Sequence, residues 1–360
     1  MHVGLGLSFQ SYEDALTDKQ VWANAVRSSE LAAELGFDGV WATEHHFTSY
    51  DITPDPLQFL TFVAALDSDI QLGTAAVILP WHDPARVAEQ ISVLDMLSGG
   101  RLILGIGRGL GKTEFDGLRI PMDESRERFL ESAEIVLAAL DTGVLAYNGK
   151  HFQQPERNLR PAPTAPFRDR TFAAAMSPDS FEIIAKLGVG VLLIAFKSWD
   201  DVAADVARYR AAFEDAHGRS APAPLTNVLV FCDEDSDRAR EVAHRYMGNY
   251  YHSVIGHYGL NKSQTFAKVK GYEHYDTSAD TSAEDDATAV QEFIDTCVWG
   301  NPAECRDQLE SIQQKTGCGH LVLTFASGGV PMADVESSMR IFARDVLPGL
   351  KKLDVDSAVR

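Results

Sequence analysis

The chain has 360 residues, 45% hydrophobic and 23% charged, a composition that folds around a large core. Its 52 acidic against 32 basic residues give a formal charge of -20, a field that repels phosphate backbones and argues against nucleic-acid partners. Four cysteines without C-x-x-C spacing argue for a reducing compartment and against a metal knuckle, and the lack of a leader pattern or spanning run makes a cytoplasmic protein with no membrane partner the expectation.

Val3–Phe9 reads as a first strand. A helix opens at Thr17, with Gln20 in capping-box position, and stops after Leu35 at Gly36. Phe37–Glu44 is predicted as strand two, Leu57–Leu66 as a helix and Ile70–Pro80 as strand three. Asp83-Pro84 supplies an N-cap and first turn to a helix ending near Gly99-Gly100, and Arg101–Gly107 is strand four.

The next stretch, Leu102–Phe115, reads LILGIGRGLGKTEF. Its Gly-Lys-Thr suggests a P-loop, but that motif needs glycine where Ile106 stands. A dinucleotide fingerprint fails too, because the third glycine would fall on Leu110. Gly117 and Pro121 argue that no helix follows directly.

Asp123–Leu140 is predicted helical, followed by a hairpin around Tyr147-Asn148-Gly149 and a proline-rich bridge over Arg160–Pro166. Arg170–Ala175, Val189–Phe196 and Thr226–Cys232 are strands five to seven. Their helices run over Pro178–Leu187, Ser198–His217 and from Ser236 to about Val254. His257–Asp286 is polar and aperiodic, the pattern of a lid or a disordered segment. Helix Pro302–Lys315, strand His320–Phe325 and helix Met332–Leu347 close the chain. This rhythm predicts an α/β fold, a (β/α)8 TIM barrel in one domain over 1–360, with a doubly wound sheet as its rival.

A barrel gathers its chemistry at the C-terminal ends of its strands. That rule brings together Glu44, His45 and His46, Ala75 and Ala76, Arg108, Ser177, Lys197 and Ser327-Gly328-Gly329. Arg108, set among glycines, suits a phosphate, or it is a solvated arginine; Lys112 reads as solvated. Adjacent histidines on an extended chain do not form a zinc pair, but one of them can serve as acid or base, or simply as a cap or core residue. Ser177 before Pro178 reads as a helix cap, and the same helix start with Ser180 offers an anion site across from Arg108. Phe9, Phe47, Trp81, Phe196 and Phe325 near strand ends are packing residues or the lining of an apolar cavity.

Together these segments resemble the bacterial luciferase family of flavin-dependent monooxygenases, in particular its α-subunit branch. GFDGVWATEHHFT is similar to the family's strand-two segment, and GTAAVILPWHDPARVAEQISVLDMLSGGRLILGIGRGL to its strands three and four. PMDESR, GNPAECRDQLESIQQKTG and SSMRIFARDVLPGLKK are similar to later units. The resemblance implies an oxygenase that takes reduced FMN from a separate flavin reductase, reacts it with O2 to a flavin hydroperoxide, and puts one oxygen atom into a small organic substrate such as a carbonyl compound. It implies His45 as the catalytic residue, with Glu44 and His46 beside it. It implies a cofactor site of Arg108 on the 5′-phosphate of FMN, Ser177 and Ser180 completing it, and Gly107 and Met176 alongside. A non-proline cis peptide between Ala75 and Ala76, a mobile loop at 257–286, and a dimer through the helix Ala85–Leu97 also follow, as a homodimer or a heterodimer. Four positions depart from the luciferase pattern: Gly107 replaces a cysteine, Met176 an acid, and Ala195 and Tyr250 two tryptophans. These departures put light emission and a long-chain aldehyde substrate in doubt. A deazaflavin-dependent oxidoreductase and a non-catalytic flavin-binding partner subunit are the alternatives.

Overall fold

The computed structural model describes residues 1–66, 69–194, 196–260, 266, 269–272, 275 and 283–355. Among them, eight parallel strands close into a barrel: β1 (His2–Gly6), β2 (Gly39–Ala42), β3 (Gln71–Thr74), β4 (Leu102–Gly107), β5 (Thr171–Ala175), β6 (Gly190–Ile194), β7 (Leu225–Cys232) and β8 (His320–Thr324). Each pairs with the next, and β8 pairs with β1. The fold is therefore a (β/α)8 TIM barrel. The doubly wound alternative is excluded by the closing pairs, Val3 with Leu321 and Thr226 with Leu193.

Helices α1 (Asp18–Leu35), α2 (Pro56–Leu66), α3 (Pro84–Leu97), α4 (Lys112–Leu118) and α5 (Ser125–Thr142) accompany the first half. Helices α6 (Pro178–Leu187), α7 (Trp199–His217), α8 (Ser236–Val242), α9 (Gly248–Tyr258), α10 (Ala283–Thr296), α11 (Pro302–Thr316) and α12 (Met332–Asp345) accompany the second. The expected capping box is formed, with Thr17 and Gln20 bonded reciprocally. Asp83 caps α3 with its side chain on the amides of Ala85 and Arg86. The hairpin pairs Val144–Asn148 with Gln153–Asn158. No helix among the described residues is long and apolar enough to cross a membrane.

The barrel interior is filled from the bottom. Trp41 lies across it with Ile103, Phe172, Leu192, Leu225 and Val322. The indole needs Gly4 and Gly73 on the flanking strands, since a Cβ on Gly73 would stand 2.1 Å from it. Below, the rings of His2 and His320 meet at 4.9 Å. Burial lowers the pKa of both, that of His320 to about 3, so the floor is neutral at ordinary pH.

Several predicted elements end differently. The strands are shorter than predicted because the ladder stops where Leu7–Phe9 and Thr43–Glu44 rise into the mouth. Strand three breaks after Thr74, where the Ala75–Ala76 peptide is cis, and resumes only for Val77–Ile78. A helix does follow the glycine stretch. α4 starts at Lys112, carries Gly117 within it, and ends at a left-handed Arg119 before Pro121 can interfere. Gly117 is tolerated because the Phe47 ring packs where its Cβ would be. The helix predicted from Ser236 continues through a π-helical turn at Ala243–Met247 to Tyr258, and α10 already begins at Ala283, with Asp285 and Asp286 in its first turn. Both ends of the stretch expected to be irregular are thus helical, while most of its middle lies outside the described residues, as does Ala195.

Candidate active site

Two corners of the barrel mouth carry the candidate chemistry. The first lies after β4 and β5. Arg108 leaves β4 and lays its guanidinium over the Tyr272 ring at 3.9 Å, with Nη1 donating to the carbonyl of Gly271 at 2.8 Å. Arg126, in the first turn of α5, reaches the same carbonyl with Nη2 at 3.4 Å, and its Nε is buried without a hydrogen-bond partner among the described residues. Opposite stands the start of α6. There the Ser177 hydroxyl, the expected cap, does not cap, and bonds instead to the Ser180 hydroxyl at 2.8 Å. Two guanidinium groups, two hydroxyls and an uncapped helix N-terminus therefore converge. The exposed Asp179 pairs with Arg126 at 3.3 Å.

The cleft between them is lined by Ile78, Gly107, Met176, Ile184, Ile194 and Tyr258. Ala76 is buried beside Gly107, and a Cβ on Gly107 would stand 3.5 Å from that of Ala76. A flat aromatic cofactor with a phosphate tail fits this lining: apolar walls for the ring, and an orphaned Arg126 Nε for the anion.

The second corner belongs to His45. It lines a smaller cavity with Ser8, Thr43, Tyr50, Ala75, Asn227, Tyr250 and Thr324. Its Nδ1 lies 3.0 Å from Oε1 of Glu114, a fully buried carboxylate of α4, and the same oxygen accepts from the backbone N–H of His46 at 3.0 Å. On the other side His257 of α9 points Nε2 at Glu114 Oε2, 3.5 Å away, and stacks on Tyr50 with centroids 4.5 Å apart. Burial alone would raise Glu114, but His257 and His45 together hold it at about 2. Burial lowers His45, and Glu114 overrides this, so the imidazole is raised above its ordinary value. The phenols here stay neutral, with burial pushing Tyr250 up to about 12 and Tyr258 well above the usual tyrosine value. Tyr50 and Tyr250 share a hydrogen bond of 3.0 Å.

Glu44 and His46 stand apart from this cavity. Glu44 is fully buried and holds three donors: His82 Nε2 at 2.6 Å, His46 Nε2 at 3.2 Å and the Ile78 amide at 2.8 Å. Burial opposes its charge, yet the bonds from His46 and His82 outweigh it and lower its pKa. This cluster ties the end of β2 to the residues after the cis peptide. Adjacent side chains on an extended chain point oppositely, so His45 faces the cavity while His46 turns to Trp81.

Lys197 also lies elsewhere, paired with the buried Asp205 of α7. Lys112 is exposed and pairs with Asp116. The loop after β8 instead serves α9. The Gly328 N–H donates to Gln10, the Gly328 carbonyl accepts from Asn249, and Gln10 donates to Ser253. A Cβ on Gly328 would meet the Tyr246 carbonyl at 1.8 Å, so glycine is required for α9 to sit over the mouth.

Glu114, Arg126 and His257 are the site residues that sequence reasoning missed. Arg126 ends the PMDESR segment, and an arginine in a first helical turn, where the dipole disfavours a cation, was the available signal.

The family model for luciferase-like monooxygenases matches residues 1–318. The alkanal monooxygenase alpha chain of Photorhabdus luminescens is 25% identical over 360 residues, covering 96% of either chain. A monooxygenase from Streptomyces bottropensis superposes with a TM-score of 0.79 at 27% identity, over 97% of this chain and 100% of its own. The oxygenating constituent of 3,6-diketocamphane monooxygenase from Pseudomonas putida, solved with FMN, shares the fold with a TM-score of 0.74 at 18% identity, over 99% of each chain.

Proposed function

The chain belongs to the luciferase-like monooxygenase family of flavin-dependent enzymes, and on that premise we propose that it uses reduced FMN to put one oxygen atom of O2 into a small organic substrate. The observation that carries the reading is the meeting of an anion corner, Arg108, Arg126, Ser177 and Ser180, with an apolar cleft that ends at Tyr258 near His45. The anion corner would hold the FMN phosphate, and Ile78, Ala76, Met176 and Ile194 would flank the ring. Bound reduced FMN supplies two electrons to O2, so that one oxygen atom enters the substrate and the other leaves as water.

The protein's own part is to bind, to exclude water and to move a proton. Tyr258 and Tyr275 give the cleft aromatic surface, and Phe266 and Tyr272 pack against Tyr275. His45 gives or takes the proton at the substrate side. Asn227, Thr324 and the paired hydroxyls of Tyr50 and Tyr250 line the cavity below it and would orient a polar group of the substrate. The luciferase-like resemblance supports a separate flavin reductase as the source of the reduced cofactor.

An apolar surface supports a homodimer. Phe62 and Leu66 of α2 and Val93, Met96 and Leu97 of α3 are exposed on neighbouring helices.

The test is an anaerobic titration with reduced FMN and, separately, with a reduced deazaflavin, followed by admission of oxygen. Tight binding of FMN with reoxidation slower than that of free flavin supports the reading. Preference for the deazaflavin, or no flavin binding, ends it.

A further inference from the structure

We infer that Glu114 and His257 are positioning residues for His45: Glu114 fixes the imidazole proton on Nδ1, and His257 makes that arrangement depend on the docking of α9. The inference rests on the reading of His45 as the proton-transfer residue.

An ionised carboxylate only accepts hydrogen bonds. At 3.0 Å from Glu114 Oε1, His45 Nδ1 must therefore be the protonated nitrogen, which leaves Nε2 with the lone pair when the ring is neutral. The backbone N–H of His46 secures the same oxygen, so the carboxylate cannot rotate freely. The second oxygen, Oε2, and His257 Nε2 are both buried, lie 3.5 Å from each other and have no other partner among the described residues. His257 Nδ1 lies 2.8 Å from the Thr48 hydroxyl. With that hydroxyl donating to Nδ1, His257 Nε2–H is directed at Glu114, and each proton has one place. The chain of groups is thus Thr48, His257, Glu114, His45.

His257 is the penultimate residue of α9, next to Tyr258, which lines the cleft. When α9 is seated, Glu114 has its full set of partners. When it lifts, one carboxylate oxygen loses its buried donor, at a position where an unmatched charge is costly. The charged and titratable groups facing His45 are Glu44 and Asp51 from the β2 side, Tyr50, Glu114 from α4, and His257 and Tyr258 from α9. Among them Glu114 makes the direct contact. The atoms of His45, Glu114 and His257 lie within 4.8 Å of one another, close enough for a divalent cation to compete with this proton network, and the experiment separates the two.

The experiment is histidine-selective nitrogen-15 NMR on the flavin-free protein, with H45Q and H257Q used to assign the rings. The inference expects His45 as the Nδ1–H tautomer, with a midpoint above that of free histidine. In E114Q, which keeps shape and loses charge, the midpoint falls by at least half a pH unit, and E114D restores part of it. H257Q gives faster hydrogen exchange in α9 and a smaller fall at His45. In turnover, E114Q lowers kcat about 100-fold with the Kd for reduced FMN unchanged. An unchanged His45 tautomer and midpoint in E114Q overturns the inference, whatever the kinetics. So does a change in both imidazole rings on adding EDTA, which would place a cation between them and Glu114. Full turnover by H45Q instead sinks the reading of His45 and leaves the NMR result to judge the positioning alone.

Discussion

Arg108 spends its guanidinium on the main-chain carbonyl of Gly271, at 2.8 Å, and makes no ion pair among the described residues. Arg126 shares that carbonyl. One neutral carbonyl shared by two cations, with only the exposed Asp179 beside Arg126, is a weak match, and a phosphate is a stronger one. Replacing either arginine by methionine is expected to weaken reduced-FMN binding 10- to 100-fold, from a loss of about 1.5–3 kcal/mol per charge-assisted bond. Riboflavin, which lacks the phosphate, should bind wild type and variants alike. Equal losses for FMN and riboflavin would show that the arginines act on the fold and not on the phosphate.

Two acid limbs of stability follow from buried groups at opposite ends of the barrel. His320 is held neutral, with its pKa lowered to about 3, so the unfolded chain takes up a proton below about 6.5 that the folded chain refuses. Stability is full above pH 6.5 and falls by about 1.4 kcal/mol per pH unit below it. Glu114 is the reverse case, a carboxylate depressed to about 2, whose contribution is full above about 4.5 and is lost as pH falls toward 2. Urea denaturation at pH 7.5 and 5.5 should show the first loss, and H320L should flatten it. E114Q should flatten only the limb below pH 4.5. Parallel pH curves for wild type and H320L would rule His320 out.

Gly105, like Gly328, leaves no room for a Cβ. A Cβ there would stand 1.9 Å from the Thr74 carbonyl, a backbone atom that cannot swing aside. The Thr74 hydroxyl donates to the Gly105 carbonyl and accepts from its N–H, both at 2.8 Å, binding β4 to the residue before the cis peptide. G105A must push these strands apart and should lower stability by about 1–3 kcal/mol or more. G99A, at an open helix end, is strained only by its positive φ and should cost about 1 kcal/mol. Thermal denaturation of the two variants compares them. Equal losses would mean that the Thr74 contact has no energetic weight.

The architecture was legible because it is written in short range. Alternating apolar runs, the Thr17 and Asp83 caps and the glycine stops each depend on a few neighbouring residues. Arg108 was legible as a candidate because it follows directly on a strand end, whereas His45 was picked out from its neighbour only by the family resemblance. Glu114 was hidden by Gly117 and Pro121, which argue locally against a helix that Phe47 and the buried Phe115 then stabilise through packing. His257 lies 143 residues from Glu114 along the chain, and no local pattern encodes that meeting. His46 shows the limit of adjacency: its one-residue offset from His45 sends it to Glu44 instead of the cavity.

The face formed by α2 and α3 carries the last prediction. Leu97 is 64% exposed, Phe62 50% and Met96 49%, and Leu66 and Val93 lie with them. Scattered exposed apolar residues need no explanation, but five on two packed helices are a concentration that water disfavours. Burying it against a second copy would gain roughly 25 cal/mol per Å2 of apolar area, before the cost of association. Arg86 and Glu89 pair with each other beside it on α3 and can form part of a polar rim. A dimer is therefore expected in sedimentation at micromolar concentration. The double variant M96E/L97E, which places two like charges on each side of a two-fold contact, should sediment as a monomer with its flavin affinity intact. A wild-type monomer at all concentrations would remove this face as the interface between copies.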